Sequence, residues 1–334
     1  MRFASFEIAT PAGRVRRVGA VADGNLLVDL NAAYASALAE RVDPERVRSV
    51  ADAVVPPDLI ALLANGRLGA DAVSEAIDSL GDAAKARDLT TLLGARIVYA
   101  LEEVRLLAPL PRPSSLRDCS AFEEHVKNTA GPRGVPRVWY EVPVYYKGNP
   151  ASVQGTGGDV VRPPGVTQLD YELEFAFAIG RRGRDIPETR ALEHVAGYMV
   201  FNDVSARDLQ MKEMGGFLGP AKGKDLDGGN VLGPWLVTPD EFDPSDDHAM
   251  VARVDGREWS RGSTASLYHS VARIVSHISR SETLYVGDVI GSGTVGRGCG
   301  LELGRYPEMG QRVELEIEGL GSIQNRFVSD DRGR

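Results

Sequence analysis

Nine residues in the middle of the chain, Tyr171-Glu172-Leu173-Glu174-Phe175-Ala176-Phe177-Ala178-Ile179, constrain the fold more than any other segment. They alternate with the period of a β-strand. Tyr171, Leu173, Phe175, Phe177 and Ile179 share one face, because side chains two apart on a strand point the same way. Glu172 and Glu174 share the other face with two small alanines, their Cα atoms about 7 Å apart. Bulky apolar flanks mark a core strand, and acids inside a core strand are costly unless something positive meets them. Asp203 stands in an equally apolar stretch, Tyr198-Met199-Val200-Phe201-Asn202-Asp203-Val204. A divalent cation is the simplest partner for these acids. Hard oxygen ligands suit magnesium, manganese or calcium rather than zinc. The acids therefore imply a metal-dependent enzyme.

The chain supplies its own control. Val313-Glu314-Leu315-Glu316-Ile317-Glu318 also alternates acids with apolar residues, and there a surface strand with one wet face is expected. The Glu-x-Glu pattern alone is weak; its flanks and the nearby Asn202-Asp203 give it weight.

A chain of 334 residues can bury a large core in one or two domains. Its net charge of −9 argues against nucleic-acid binding but not against an anionic substrate. Cys119 and Cys299 are the only cysteines and the five histidines are scattered, which excludes a disulfide framework and a Cys- or His-rich metal site. Met1 to Phe6 show no signal-peptide pattern, and no apolar run has the length of a membrane span. A cytoplasmic protein with no membrane partner is the expectation.

Short strands are expected over Phe3–Ile8, Val15–Val21 and Leu26–Asp29, followed by a helix from an Asn31 cap through Ala39. Pro57–Ala64 and Ala70–Leu93 read as Ala-rich amphipathic helices, the second interrupted at Gly81. Ala108-Pro109-Leu110-Pro111-Arg112-Pro113 cannot lie inside a helix or a central strand, so a boundary belongs there. This divides the chain into an N-terminal α/β domain, 1–107, a β-rich catalytic domain, 108–330, and a frayed tail, 331–334. In the second domain, helices are expected over Cys119–Asn128, Ile186–Glu193 and Leu267–Ser279.

Four further segments carry chemistry. Asp118 can cap the helix that contains His125, two turns along and roughly on the same side. A helix opening after Asn202 would place Asp203, Arg207 and Gln210 on one face, as an ordinary ion pair or as polar groups aimed at a ligand. Gly215–Asp227 is glycine-rich and basic but lacks the Ser/Thr and helix of a phosphate loop. It is a surface loop, or one that brings Lys224 to an anionic oxygen. Gly291-Ser292-Gly293-Thr294-Val295-Gly296 follows an expected strand, Leu284–Ile290, yet Arg297-Gly298-Cys299-Gly300 cannot open a helix well. It reads as a turn whose backbone and Thr294 hydroxyl approach a ligand, with Glu302 close behind.

Taken in order, these blocks resemble the fumarylacetoacetate hydrolase family over roughly residues 106 to 328. The resemblance implies an α+β, β-rich fold, a mixed β-sandwich or β-roll preceded by the small N-terminal α/β domain. It implies one divalent cation, Mg2+ or Mn2+ with Ca2+ also compatible, on Asp118, Glu172, Glu174 and Asp203. His125 matches the family's catalytic histidine and Glu302 its carboxylate partner. Lys224 matches the enolate-stabilising position, and Tyr146, Arg207, Gln210 and Thr294 match substrate-contacting positions. The sequence departs from the family in Tyr146-Lys147-Gly148-Asn149, and only Arg133 or Arg137 stands near the place of one substrate-binding arginine. Smaller relatives carry His-x-x-Glu; here His125-x-x-Asn128 points to Glu302 and to the C–C hydrolase branch. The implied reaction is cleavage of a β-diketo acid, an acylpyruvate or a fumarylacetoacetate-like acid. The alternatives are a keto-acid lyase, either oxaloacetate decarboxylase or 2-keto-3-deoxy acid dehydratase, and an isomerase. The implied partners are a small keto acid and a second copy of the chain in a homodimer.

Overall fold

The computed structural model describes residues 1–22, 25–87, 89–91 and 94–330, and they form two compact units, Met1–Leu110 and Pro111–Arg334. In the first unit, Arg2–Thr10 and Gly13–Ala22 form an antiparallel hairpin, with Thr10 opposite Gly13. Leu26–Asp29 and then Val98–Ala100 extend that sheet on the Gly13–Ala22 side.

Four helices follow the third strand, and side-chain caps set most of their starts. Asp29, not Asn31, caps Leu30–Leu38 by accepting from Ala32 N at 3.0 Å. Asn31 lies inside the first turn and donates to Asp52 and to the Val55 carbonyl. Asp43 caps Pro44–Val54, a helix not expected from the pattern, with Pro44 at its first turn. Asp58 delays the helix expected from Pro57, so it spans Leu59–Ala64. The helix expected from Ala70 begins four residues earlier and spans Gly66–Leu80. Gly81, at φ 49°, ends it, and a 3-10 turn follows over Gly81–Lys85. Leu92 and Leu93, at the expected helix end, lie outside the described residues, as does the 331–334 tail.

The second unit is strand-rich. One sheet runs Asn230–Val237, Val195–Asp203, Leu173–Ile179, Asp288–Gly291, Ser115–Cys119, Tyr145–Gly148. Within that run only the Asp288–Gly291 and Ser115–Cys119 pair is parallel. A second sheet runs Arg257–Ser263, Ala249–Val254, Arg312–Ile317, Gly321–Ser329, Asp159–Arg162. Phe175, Phe177 and Ile179 of the first sheet share one core with Met250, Ala252, Leu315, Ile317 and Phe327 of the second. The fold is thus mixed α+β with large sheets. The control strand behaves as a surface strand: Val313, Leu315 and Ile317 are buried, while Glu314 and Glu316 flank Arg253 outside.

Three helix expectations shift here. Ser115–Cys119 is a strand, so the helix carrying His125 begins only at Glu123 and ends at Thr129. Ile186–Glu193 is a 3-10 segment, Glu188–His194, starting after Pro187. Ser270 caps the third helix, Val271–Ile278, through Arg273 N. The expected strand Leu284–Ile290 is split into Thr283–Leu284 and Asp288–Gly291 by a turn with Gly287 at φ 86°.

Candidate active site

Sheet register brings three acids together from three strands. Glu174 lies opposite Phe201, two residues before Asp203, and Asp118 lies opposite Gly291. Carboxylate oxygens of Asp118, Glu174 and Asp203 fall within 4.8 Å of one another, all buried. Glycine makes the approach possible. A Cβ on Gly291 would sit 2.2 Å from Asp118 Oδ1, and one on Gly293 would sit 2.4 Å from the Cys119 carbonyl. Gly293, at φ 83°, turns its N–H onto Asp118 Oδ1 at 3.2 Å and Glu174 Oε2 at 3.0 Å. The Thr294 hydroxyl donates to Glu174 Oε1 at 3.1 Å.

These contacts leave the cluster short of positive charge. Burial, then the charge of Asp203, pushes the Asp118 carboxyl well above its usual range. Burial, then Asp118 and Asp203, does the same to Glu174. Burial also raises Asp203, against the pull of Lys224. Asp203 Oδ1 is buried without a hydrogen-bond partner, a costly state for a carboxylate oxygen. Three converging hard oxygen donors with an orphaned oxygen fit a divalent cation of the magnesium, manganese or calcium kind.

Glu172, expected beside them, turns toward cations of the protein itself. Lys224 Nζ lies 2.5 Å from Glu172 Oε2 and 2.6 Å from Asp203 Oδ2. Arg207 Nη1 lies 2.7 Å from Glu172 Oε1. Burial opposes the charge on Glu172, but Lys224 and Arg207 outweigh it and hold the carboxyl below its usual range. Burial likewise opposes the Lys224 charge, and Asp203 and Glu172 raise its pKa above the ordinary ammonium range. Tyr146, paired with Asp118 across the strands, donates to Asp203 Oδ2 at 2.7 Å. Burial and that carboxylate push its phenol well up.

The expected helix face of Asp203, Arg207 and Gln210 does not form. Asp203 ends a strand, and the helix begins only at Arg207. Arg207 is 2% exposed, and its guanidinium pairs with Asp170 and Glu172 and donates to Gln210 Oε1. The basic loop splits its two lysines: Lys224 is buried among the acids while Lys222 stays exposed. The Glu213 carboxylate fastens that loop by accepting the Ala221, Lys222 and Gly223 N–H groups.

His125 and Glu302 meet across 177 residues of chain, with Nδ1 2.8 Å from Oε2. Asn128 donates to Glu302 Oε1 at 2.9 Å, the Arg297 N–H at 2.8 Å, and the Cys299 thiol reaches Oε2 at 3.3 Å. Burial opposes the Glu302 charge, but His125 and Asn128 hold its carboxyl below the usual range. An ionised Glu302 assigns the proton to Nδ1 and leaves Nε2 as an acceptor. His125 lines a cavity of about 400 Å³ together with Asp118, Tyr146, Glu172, Gln210, Lys224 and Thr294. Arg137 points away, 93% exposed beside Glu141; the Arg133 side chain lies outside the described residues.

Two members of the site escaped sequence reasoning. Asp170 is fully buried and bonded to Arg207. It lies on a separate short strand, Leu169–Asp170, paired with Ser205–Ala206, and its sequence signal was only its place two residues before Glu172. Asn128 carried a weaker signal, three residues after His125 on one helix face.

Residues 115–328 match the family model described as fumarylacetoacetate (FAA) hydrolase, C-terminal. A relative in Bacillus subtilis (strain 168), the oxaloacetate tautomerase YisK, is 32% identical over 234 residues, 69% of this chain and 75% of that protein. The solved fumarylacetoacetate hydrolase from psychrophilic Exiguobacterium antarcticum is 28% identical with a TM-score of 0.70, covering 98% of this chain and 100% of that one. The 5-carboxymethyl-2-hydroxymuconate delta-isomerase of Mycobacterium smegmatis is 26% identical with a TM-score of 0.66, covering 99% and 100%. Hydrolase, isomerase and tautomerase thus share one scaffold. With its acids gathered as above and the family model matched across the whole strand-rich unit, this chain belongs to the fumarylacetoacetate hydrolase family of enzymes.

Proposed function

We propose that this protein is a divalent-metal-dependent hydrolase cleaving a C–C bond in a β-diketo acid, an acylpyruvate or a fumarylacetoacetate-like acid. The observation that carries the reading is the His125–Glu302 hydrogen bond at the rim of the cavity that also exposes Asp118 and Glu172. Asp118, Glu174 and Asp203 would hold the cation, with Glu172 beside them. When bound, a magnesium or manganese ion supplies Lewis-acid polarisation of a substrate carbonyl.

His125 Nε2 takes a proton from water in the cavity, and Glu302 steadies the imidazolium. The hydroxide adds to the acyl carbonyl. The C–C bond then breaks with its electron pair left on the departing keto acid as an enolate, pyruvate from an acylpyruvate or acetoacetate from fumarylacetoacetate. The imidazolium returns its proton to that carbon, so one water and one diketo acid give two acids. Lys224 faces the cavity and meets the enolate charge. Tyr146, Gln210 and Thr294 line the cavity beside the substrate. Arg207 does not line it and is assigned to holding Asp170 and Glu172.

The name of the B. subtilis relative favours a second reading, keto–enol tautomerisation of a keto acid, with His125 moving the proton and no water consumed. The deciding experiment follows the absorbance of acetylpyruvate, fumarylpyruvate and fumarylacetoacetate with EDTA-treated protein before and after Mn2+ or Mg2+ add-back. Metal-restored formation of two acids supports hydrolysis. Intact diketo acids, with oxaloacetate enol converted to its keto form, replace it by the tautomerase reading, and carbon dioxide release replaces it by a lyase.

A further inference from the structure

Asp170 takes no part in the reaction just proposed, yet it joins the two halves of the site. Its Oδ2 accepts from Arg207 Nε at 2.8 Å and from Leu301 N at 2.9 Å. Its Oδ1 accepts from Gly300 N at 2.8 Å and from Tyr171 N at 2.9 Å. Gly300 and Leu301 open the single helical turn Gly300–Leu303, whose next residue is Glu302. That turn has no room for adjustment at its start: a Cβ on Gly300 would sit 2.2 Å from the Arg305 carbonyl and 2.5 Å from Asp170 Oδ1. On its far side, Arg207 continues to Glu172 Oε1 at 2.7 Å, and Glu172 continues through Lys224 to Asp203. A buried path of charged groups therefore runs from the Glu302 turn to the acidic cluster.

We propose that Asp170 and Arg207 are positioning residues that fix the Glu302 turn, and so the His125 imidazole, relative to the metal centre. Glu302 is held on its own side by side chains of the His125 helix and by the Arg297 and Cys299 segment just before it. The Arg297–Cys299 segment meets the acidic strand through its backbone, Leu173 N donating to the Gly298 carbonyl at 2.9 Å. Asp170, on the separate short strand Leu169–Asp170, adds a side-chain grip on the first N–H groups of the Glu302 turn and joins them to Arg207. Both ends of its grip are anchored in buried surroundings, where a misplaced charge is not rescued by water. The inference rests on the proposed reaction for its kinetic readout only.

The test compares wild type, Asp170→Asn, Arg207→Lys, Glu302→Gln and Asp170→Asn/Glu302→Gln, all checked for folding by circular dichroism. The first readout needs no substrate: the downfield proton NMR signal of the His125 Nδ1–H, assigned by its loss in His125→Ala. Asp170→Asn is expected to weaken or shift that signal as Glu302→Gln does, with the Mn2+ Kd kept within a few-fold. The second readout is kinetic. Asp170→Asn is expected to lower kcat about 10- to 100-fold with little change in KM, and to move the acid limb of the pH profile. In the double variant the losses should not add. Arg207→Lys keeps the charge but loses the fork, and should give a partial version of the same changes. An unchanged imidazole signal in both Asp170→Asn and Arg207→Lys overturns the proposal whatever the reaction is. So do losses that add to those of Glu302→Gln. Should wild type process no keto acid while the imidazole signal responds as expected, the positioning role stands and the proposed reaction falls.

Discussion

His125 bonds Glu302 through Nδ1 and lines the cavity, which sets up its replacement as the sharpest single-residue test. His125→Ala should lower kcat by about 10²- to 10⁴-fold while leaving the Mn2+ Kd unchanged in a calorimetric titration. Loss of metal binding in that variant would move His125 from base to ligand. Glu174 makes the opposite test. Its carboxyl is pushed up by burial and by Asp118 and Asp203, so its charge is a burden when no cation is bound. Glu174→Gln should therefore melt higher than wild type in EDTA at pH 8 and lose the rise in melting temperature that Mn2+ gives wild type. Glu172, Glu174 and Asp203 could be singled out from sequence because an acid among core residues is conspicuous, whereas Asp118 read locally as a helix cap and joined them only through the family resemblance. Which of them converge could not, since the strand expected from Tyr171 begins only at Leu173, and Glu172, bridged to Cys299 just before it, meets Lys224 while Glu174 meets Asp118 and Gly293.

Strand register carries the cluster at the next scale. Gly291 sits between the Asp118 strand and the acidic strand, opposite Asp118 on one side and Ala176 on the other. Gly291→Ala would bring a methyl group to 2.2 Å from Asp118 Oδ1 and 2.8 Å from the Phe201 ring. It should weaken Mn2+ binding by about tenfold or more, by analogy with disturbed outer-shell contacts, which competition with a chelating dye would measure. In the N-terminal unit, Asp29 caps its helix while buried, and burial, against the pull of Arg17, raises its carboxyl from 3.8 to about 6. The folded state then holds a proton that the unfolded state has lost between those values, so stability falls as pH rises through that window. The loss amounts to about 3 kcal/mol by pH 7 at 1.36 kcal/mol per unit. Asp29→Asn should flatten this part of the pH dependence in denaturant titrations at pH 4 and pH 7. An unchanged pH slope would show that Asp29 is ionised throughout. The cap itself was misassigned from sequence to Asn31 because both residue types suit a cap, and only the chain path into the Leu26–Asp29 strand chose between them.

At the scale of the whole molecule, cation and proton compete for the same buried acids. Asp118 and Glu174 are raised by burial and by neighbouring carboxylates, so they retain protons that ordinary surface acids have lost. A cation must displace them, and its affinity should fall as pH falls. Mn2+ titrations in buffers of different ionisation enthalpy should show net proton release near neutral pH; no buffer dependence would contradict the raised carboxyls. Saturating Mn2+ should stabilise the protein by about 2.7 kcal/mol at a hundredfold excess over Kd, an effect reversed by EDTA. No helix among the described residues is long and apolar enough to cross a membrane. Sequence alone determined the strand-rich class, the core strand with its acids and the ordered blocks that carry the family resemblance, because alternation, proline and glycine act over a few neighbouring residues. Only the tertiary structure decided that Arg207 is spent on Asp170 and Glu172, that Lys224 lies among the acids, that Asn128 bonds Glu302 and that Asp170 bonds the Gly300 and Leu301 N–H groups beside it. Those pairings join residues 21 to 174 positions apart, and burial, which sets their charge states, exists only once the sheets have closed over them.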